Sequence, residues 1–169
     1  MVAVHGPRAG NAADTILTLD RVGETAAAAL AVRLAALLRR SDVVALSGDL
    51  GTGKTSFARA LLRALGHDGE VPSPTFTLVQ IYDLAICQIW HCDLYRLTSA
   101  EEVFEIGIEE AFAEAVSLIE WPEILGALLP DDRLDMNLDF TADTDLRRIT
   151  LTGHGSWASR LAGLAPGCG

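Results

Sequence analysis

Cysteine is scarce in this chain, basic residues are outnumbered, and no apolar run is long enough to cross a bilayer. Cys87, Cys92 and Cys168 form neither a C-x-x-C pair nor an even set. That excludes a disulfide framework and points to reduced thiols in a cytoplasmic protein. His91 stands beside Cys92, but an isolated adjacent pair lacks the spacing of a tetrahedral metal site, so packing is the expected role. Lys and Arg number 13 against 23 Asp and Glu, for a net charge of −10 and a pI near 4.7. Direct nucleic-acid binding relies on basic side chains to neutralise phosphates. If RNA belongs to this protein's biology, a partner is expected to hold it. No segment approaches the roughly 20 apolar residues of a membrane span, and residues 1–13 carry no apolar stretch of the kind a secretion signal needs. Repeats and low-complexity linkers are missing as well. The 169 residues, half of them apolar, read as one domain with room for a core.

What is present begins with Gly48-Asp49-Leu50-Gly51-Thr52-Gly53-Lys54-Thr55, a G-x-x-x-x-G-K-T phosphate loop. Glycines allow backbone angles that side chains forbid, so successive amide N–H groups can turn in around a phosphate. A helix starting near Gly53 aims its free N–H groups and positive dipole end at the same anion. Lys54 can then reach the β and γ phosphates, and the Thr55 hydroxyl is placed for Mg²⁺. Ser56 follows in the first helical turn. Context strengthens the motif. Val43-Val44-Ala45-Leu46-Ser47 is an apolar strand signal before the loop, and Phe57 to Leu65 has amphipathic helical spacing after it.

Around this centre, Thr15 to Leu19 reads as a strand and Glu24 to Arg40 as a helix closed by two arginines. Residues 66–74 are turn-rich. Thr75 to Tyr82 and Ile86 to His91 read as strands of a hairpin around Asp83-Leu84-Ala85. Ser99 to Ala115 is helical with a break at Gly107. Val116 to Ile119 is a short buried strand, and Arg133 to Phe140 and Arg147 to Thr152 are two further strands, antiparallel neighbours. The expected fold is α/β: a mixed, mostly parallel sheet of the phosphate-loop NTPase kind, flanked by helices, with antiparallel strands toward the C-terminus. Its ligand belongs beyond the C-terminal strand ends, where the loop falls.

Hydrolysis or transfer also requires an acid on the metal side and a group to place the attacking atom. Asp93 closes the strand Ile89-Trp90-His91-Cys92, and Glu120 closes Val116-Ser117-Leu118-Ile119. Each is either a site acid or an ordinary strand-end carboxylate. Asp49 is expected to shape the loop. Arg96 offers a cation or a structural ion pair, and Trp121 covers the site or packs in the core.

Four segments in order resemble the TsaE family. They are Gly48 to Thr55, Ser73-Pro74-Thr75-Phe76-Thr77-Leu78-Val79, His91-Cys92-Asp93-Leu94-Tyr95-Arg96-Leu97 and Ile119-Glu120-Trp121-Pro122-Glu123. Glu101-Glu102 with Ile106-Gly107-Ile108 resembles the stretch between the last two. Cys92 stands where the family usually has Phe; strand alternation points it away from Asp93, so packing is affected more than chemistry. The resemblance implies a cytoplasmic Mg²⁺-dependent ATPase, weak alone, serving the threonylcarbamoyladenosine modification beside the tRNA anticodon. It implies docking on a TsaB–TsaD pair, with tRNA met only through those partners. It further implies that Lys54, Asp93 and Glu120 are catalytic, and that Thr55, Asp93 and Glu120 surround the metal. Thr25, Asp49, Leu50, Gly51, Thr52, Gly53, Lys54, Thr55 and Ser56 are expected to bind ATP, and Ser73-Pro74-Thr75 to act as a switch. On this reading residues 1–14 are a disordered leader, 15–153 the ATPase domain and 154–169 a weakly ordered tail. Two other classes compete. A compact small-molecule kinase needs an Arg-rich lid, whereas only Arg96, Arg133, Arg147 and Arg148 are scattered through the second half. A non-catalytic nucleotide-gated module would have no use for Asp93 and Glu120 at the loop.

Overall fold

In the computed structural model, residues 2–5 and 14–164 are described. The chain runs β1 (Val2–His5), β2 (Thr15–Val22), α1 (Glu24–Ala35), β3 (Val43–Ser47), α2 (Lys54–Ala64), β4 (Val79–Asp83), β5 (Gln88–Asp93), α3 (Ala100–Glu105), α4 (Ile108–Glu114), β6 (Val116–Glu120), a 3₁₀ segment (Pro122–Leu128), β7 (Arg133–Phe140), β8 (Arg147–His154) and α5 (Ser156–Ala162). The strands form one sheet in the order β1-β2-β8-β7-β3-β6-β5-β4. The fold is the expected mixed α/β sheet, though not a mostly parallel one: its parallel pairs are confined to the central run β7-β3-β6-β5. The remaining neighbours are antiparallel.

Composition explains which strands are central. In β3 and β6 almost every side chain is buried, as in strands covered on both faces. By contrast β7 and β8 alternate buried with partly exposed positions, the pattern of strands covered on one side. Two apolar clusters lie on opposite faces. One joins Val44 and Leu46 of β3 to Leu34 of α1, Leu61 of α2 and Trp157 of α5; the other joins Val43 and Ile119 to Cys92, Val103, Ile108 and Leu125. Gly107, at φ 79°, separates α3 from α4, the break its position in the sequence suggested. Among the described residues no helix is long and apolar enough to cross a membrane.

Three expectations need correction. Val2–His5 is not a loose leader: its V-A-V-H alternation pairs as an edge strand, from Val2 opposite Leu19 to His5 opposite Ile16. The rest of that segment, residues 6–13, lies outside the described residues. Nor is the stretch after His154 weakly ordered as far as Leu164. In α5, Trp157 and Leu161 sit one helical turn apart and are both fully buried. Residues 165–169 lie outside the described part. Finally, the strand expected from Thr75 begins only at Val79, because Leu78 takes φ 66° and its N–H closes a turn on the Pro74 carbonyl at 2.7 Å.

A buried ion pair fastens α5 to the start of β3. The Arg160 guanidinium donates to both oxygens of Asp42, each at 2.7 Å, and lies 3.8 Å over the Trp157 ring. Asp42 also accepts the Arg39 N–H. Removing one partner leaves the other charge buried without compensation, at a cost of about 3–5 kcal/mol. D42A should therefore lower the urea unfolding midpoint markedly with little change in slope. A midpoint within error of the parent would show that α5 is not anchored this way.

Candidate nucleotide and metal site

The loop between β3 and α2 is held open by its own backbone. Gly48 has φ 134°, and a Cβ there would lie 2.3 Å from the Leu138 carbonyl oxygen of β7. Real Cβ atoms do not approach that closely, so any larger residue must displace the loop. Thr52 is buried and its hydroxyl donates to the Asp49 carbonyl at 2.9 Å. Arg147, arriving from β8, donates from Nε to the Thr52 carbonyl at 3.0 Å. G48A should accordingly abolish binding of a fluorescent ATP analogue while circular dichroism still reports a folded chain; retained affinity would contradict this packing.

Lys54 begins α2 and is 4% exposed. Its Nζ donates to the carbonyls of Gly48 at 2.7 Å and Asp49 at 2.9 Å, and lies 4.1 Å from the Trp121 ring centroid. Burial holds its pKa below the ordinary lysine value; Glu120, Asp93, Glu123 and Asp49 pull the other way and favour the ammonium. Trp121 thus covers the site, which settles the choice left open by the sequence. It takes φ 57°, sends its N–H to the Leu46 carbonyl and packs against Tyr95.

The two strand-end acids come together. β5 and β6 run parallel with Asp93 opposite Glu120, and Glu120 lies opposite Leu46 of β3. Both carboxylates are buried, Asp93 at 4% and Glu120 at 2% exposure, and buried charge persists only where donors meet it. The Thr55 hydroxyl lies 2.9 Å from each Glu120 oxygen. His91 Nε2 lies 2.7 Å from Oε1. Asp93 accepts the Thr75 hydroxyl at 2.9 Å and the Tyr95 N–H at 3.0 Å, and Thr75 is linked in turn to Ser73 at 2.7 Å.

These residues line a cleft of about 240 Å³, walled by Leu50, Gly51, Gly53, Lys54, Thr55, Ser56, Thr75, Asp93, Glu120 and Trp121. A second cavity of about 560 Å³ adjoins it at Gly53 and Ser56, and extends past Gly23, Glu24 and Ala27 to Asp145 and Arg147. Thr25 is exposed and lines neither cavity; Asp49 meets the site through its carbonyl. Arg133 pairs with Asp135 and Arg148 with Asp20, Arg96 lies over Phe76, and Arg147 alone of the four bonds to the loop. Its reach, and the link from His91 to Glu120, had no signal in the sequence beyond residue type.

Comparison with known proteins follows this geometry. The family model "Threonylcarbamoyl adenosine biosynthesis protein TsaE" matches residues 22–149. The chain belongs to the TsaE family. It is 44% identical over 121 residues to the tRNA threonylcarbamoyladenosine biosynthesis protein TsaE of Rickettsia bellii, covering 71% of this chain and 83% of that one. With the Bacillus subtilis TsaE it shares 36% identity over 129 residues, 76% of this chain and 80% of the relative. The crystal structure of Bacillus subtilis YdiB superposes with a TM-score of 0.76 at 30% identity, covering 91% of this chain and 96% of that one.

As a TsaE-family chain it carries Cys92 on the face of β5 away from the acids. Cys92 is fully buried with Trp90 and Leu94 in the second apolar cluster, while His91 and Asp93 face the site, as alternation required. Burial alone pushes its thiol pKa up to about 12. At pH 8 iodoacetamide should leave Cys92 unmodified in the folded protein, with Cys87, which is partly exposed, alkylated. Peptide mapping that finds Cys92 modified as readily as Cys87 would refute this packing.

Proposed function

We propose that this chain is an ATP-binding, slowly ATP-hydrolysing member of the tRNA threonylcarbamoyladenosine modification machinery, Mg²⁺-dependent and stimulated by a TsaB–TsaD pair. The observation that carries this reading is the Thr55 hydroxyl set on the Glu120 carboxylate, with Asp93 beside it on the next strand. A phosphate-binding module with no chemistry to perform has no need of two buried acids there.

The donor set fits the ion. Hydroxyl and carboxylate oxygens suit a hard divalent cation. Mg²⁺ takes one or two carboxylates and completes its shell with water and substrate phosphates. Thr55, Asp93 and Glu120 would hold it, and the bound ion would supply charge neutralisation at the phosphates. The loop amides of residues 49–55 and the α2 N-terminus bind phosphate oxygens, and Lys54 turns from its loop carbonyls to the anion. The adjoining cavity toward Gly23 and Glu24 accepts the nucleoside, although Thr25 beside them does not line it. One of the two acids, Asp93 or Glu120, also orients the attacking water and takes its proton.

Slow turnover alone follows from the same contacts. Lys54 is committed to Gly48 and Asp49, and Asp93 to Thr75 and Tyr95. A partner that shifts residues 73–78 would free Asp93 for the ion, which gives Ser73-Pro74-Thr75 its switch role. Net charge of −10 supports contact with tRNA through the partners.

Steady-state Mg·ATP hydrolysis with and without purified TsaB–TsaD tests the proposal. A low basal rate that rises clearly with the pair is expected, and indifference to the pair would sink the partner-activated reading. D93A and E120A should each lower the stimulated rate tenfold or more, a loss of about 1.4 kcal/mol or above. Full activity in both would show that neither acid meets metal or water.

A further inference from the structure

His91 is completely buried, and a buried imidazole costs stability unless it is bonded. One bond is on the page: Nε2 lies 2.7 Å from Oε1 of Glu120. The other ring nitrogen, Nδ1, is buried with no hydrogen-bond partner. A carboxylate oxygen accepts, so the geometry puts Nε2 in the place of its donor. A hydrogen on Nδ1 would find no acceptor and be left unsatisfied.

The placement follows from strand register. His91 lies opposite Leu118, one pleat below the level at which Asp93 faces Glu120. Like charges directly opposite on neighbouring strands repel, and each acid here has its own pair of donors. Asp93 is held by the Thr75 hydroxyl and the Tyr95 N–H. Glu120 is held by Thr55 and His91. The Thr55 hydroxyl has a single hydrogen to share between two oxygens at 2.9 Å. Among the described residues, His91 is the other side-chain donor to this carboxylate.

We propose that His91 is the positioning residue of Glu120: its Nε2–H pins Oε1 from beneath, fixing the carboxylate toward Thr55 and apart from Asp93. The role rests on the ATPase reading of the cleft. His91 acts through Glu120, as donors behind a metal-side carboxylate do, and losing such a donor costs about 10–100-fold.

Substitution separates the bond from the packing. A glutamine amide reaches about as far as Nε2, an asparagine amide falls one methylene short, and leucine has no donor. With Mg·ATP and TsaB–TsaD, H91N and H91L should lower kcat about tenfold or more with KM for ATP within about threefold, and H91Q should recover to within about threefold of the parent. Equal losses in all three variants would reduce His91 to a space-filler and overturn the proposal, as would parental kcat in H91L. If H91L does not fold, the contrast between H91Q and H91N decides. A second readout needs neither nucleotide nor turnover: ¹⁵N NMR of the histidine ring in the nucleotide-free chain. The Nε2–H tautomer is expected, with a slowly exchanging ring proton that E120A loses. An Nδ1–H tautomer, or a ring signal unmoved by E120A, would refute the assignment. A parent chain that hydrolyses no ATP with or without the pair would bring down the ATPase reading and this role with it. A parent that turns over while every His91 variant keeps pace brings down this role alone.

Discussion

The register of three parallel strands is the constraint on which the site depends. Leu46 of β3 faces Glu120 of β6, and Glu120 faces Asp93 of β5. Because side chains alternate along a strand, a slip of one residue would send both acids into the apolar cluster under α3 and α4 and turn Cys92 toward the phosphate loop. The ladder is extended beyond the strands to prevent this. The Trp121 N–H reaches the Leu46 carbonyl, and the Leu94 N–H reaches the Glu120 carbonyl. The loop then departs from the end of β3 at the same level, so one register places phosphate cradle, hydroxyl and carboxylates together.

Electrostatics gives this arrangement its character. Lys54 has Glu120, Asp93, Glu123 and Asp49 for company in an already acidic chain. On the proposed reading these acids call for a cation beside the phosphates, and the side-chain oxygens of the site suit a divalent ion. The relatives in the TsaE family align with most of this chain and, in the case of YdiB, share the fold. The chemistry is therefore concentrated in a few buried contacts of the central strands, while the outer strands supply enclosure.

Much of this was legible in the sequence because it rests on local rules. The loop announces itself through glycine spacing, and Asp93 and Glu120 stand out as acids closing apolar runs. The outward turn of Cys92 follows from alternation, and Gly107 marks the break between α3 and α4. What escaped depends on distant partners. Trp157 and Leu161 give too short a pattern to declare a helix until Asp42 is seen to receive Arg160. Val2–His5 pairs only because β2 presents an edge. The turn at residues 74–78 hides in a segment whose composition suits a strand. Nothing near His91 in the chain says that its ring lies against Glu120, and nothing near Arg147 points to Thr52.

Lys54 is bonded to the carbonyls of its own loop and lies over Trp121. The loop therefore carries its own counterion and is never a bare anion trap. A lone phosphate, however abundant, can offer that ammonium little more than the two carbonyls and the ring it would have to give up. On the proposed reading a nucleoside triphosphate brings further contacts along the cradle and into the adjoining cavity, and these repay the exchange. Discrimination against orthophosphate would then be built into how Lys54 is held.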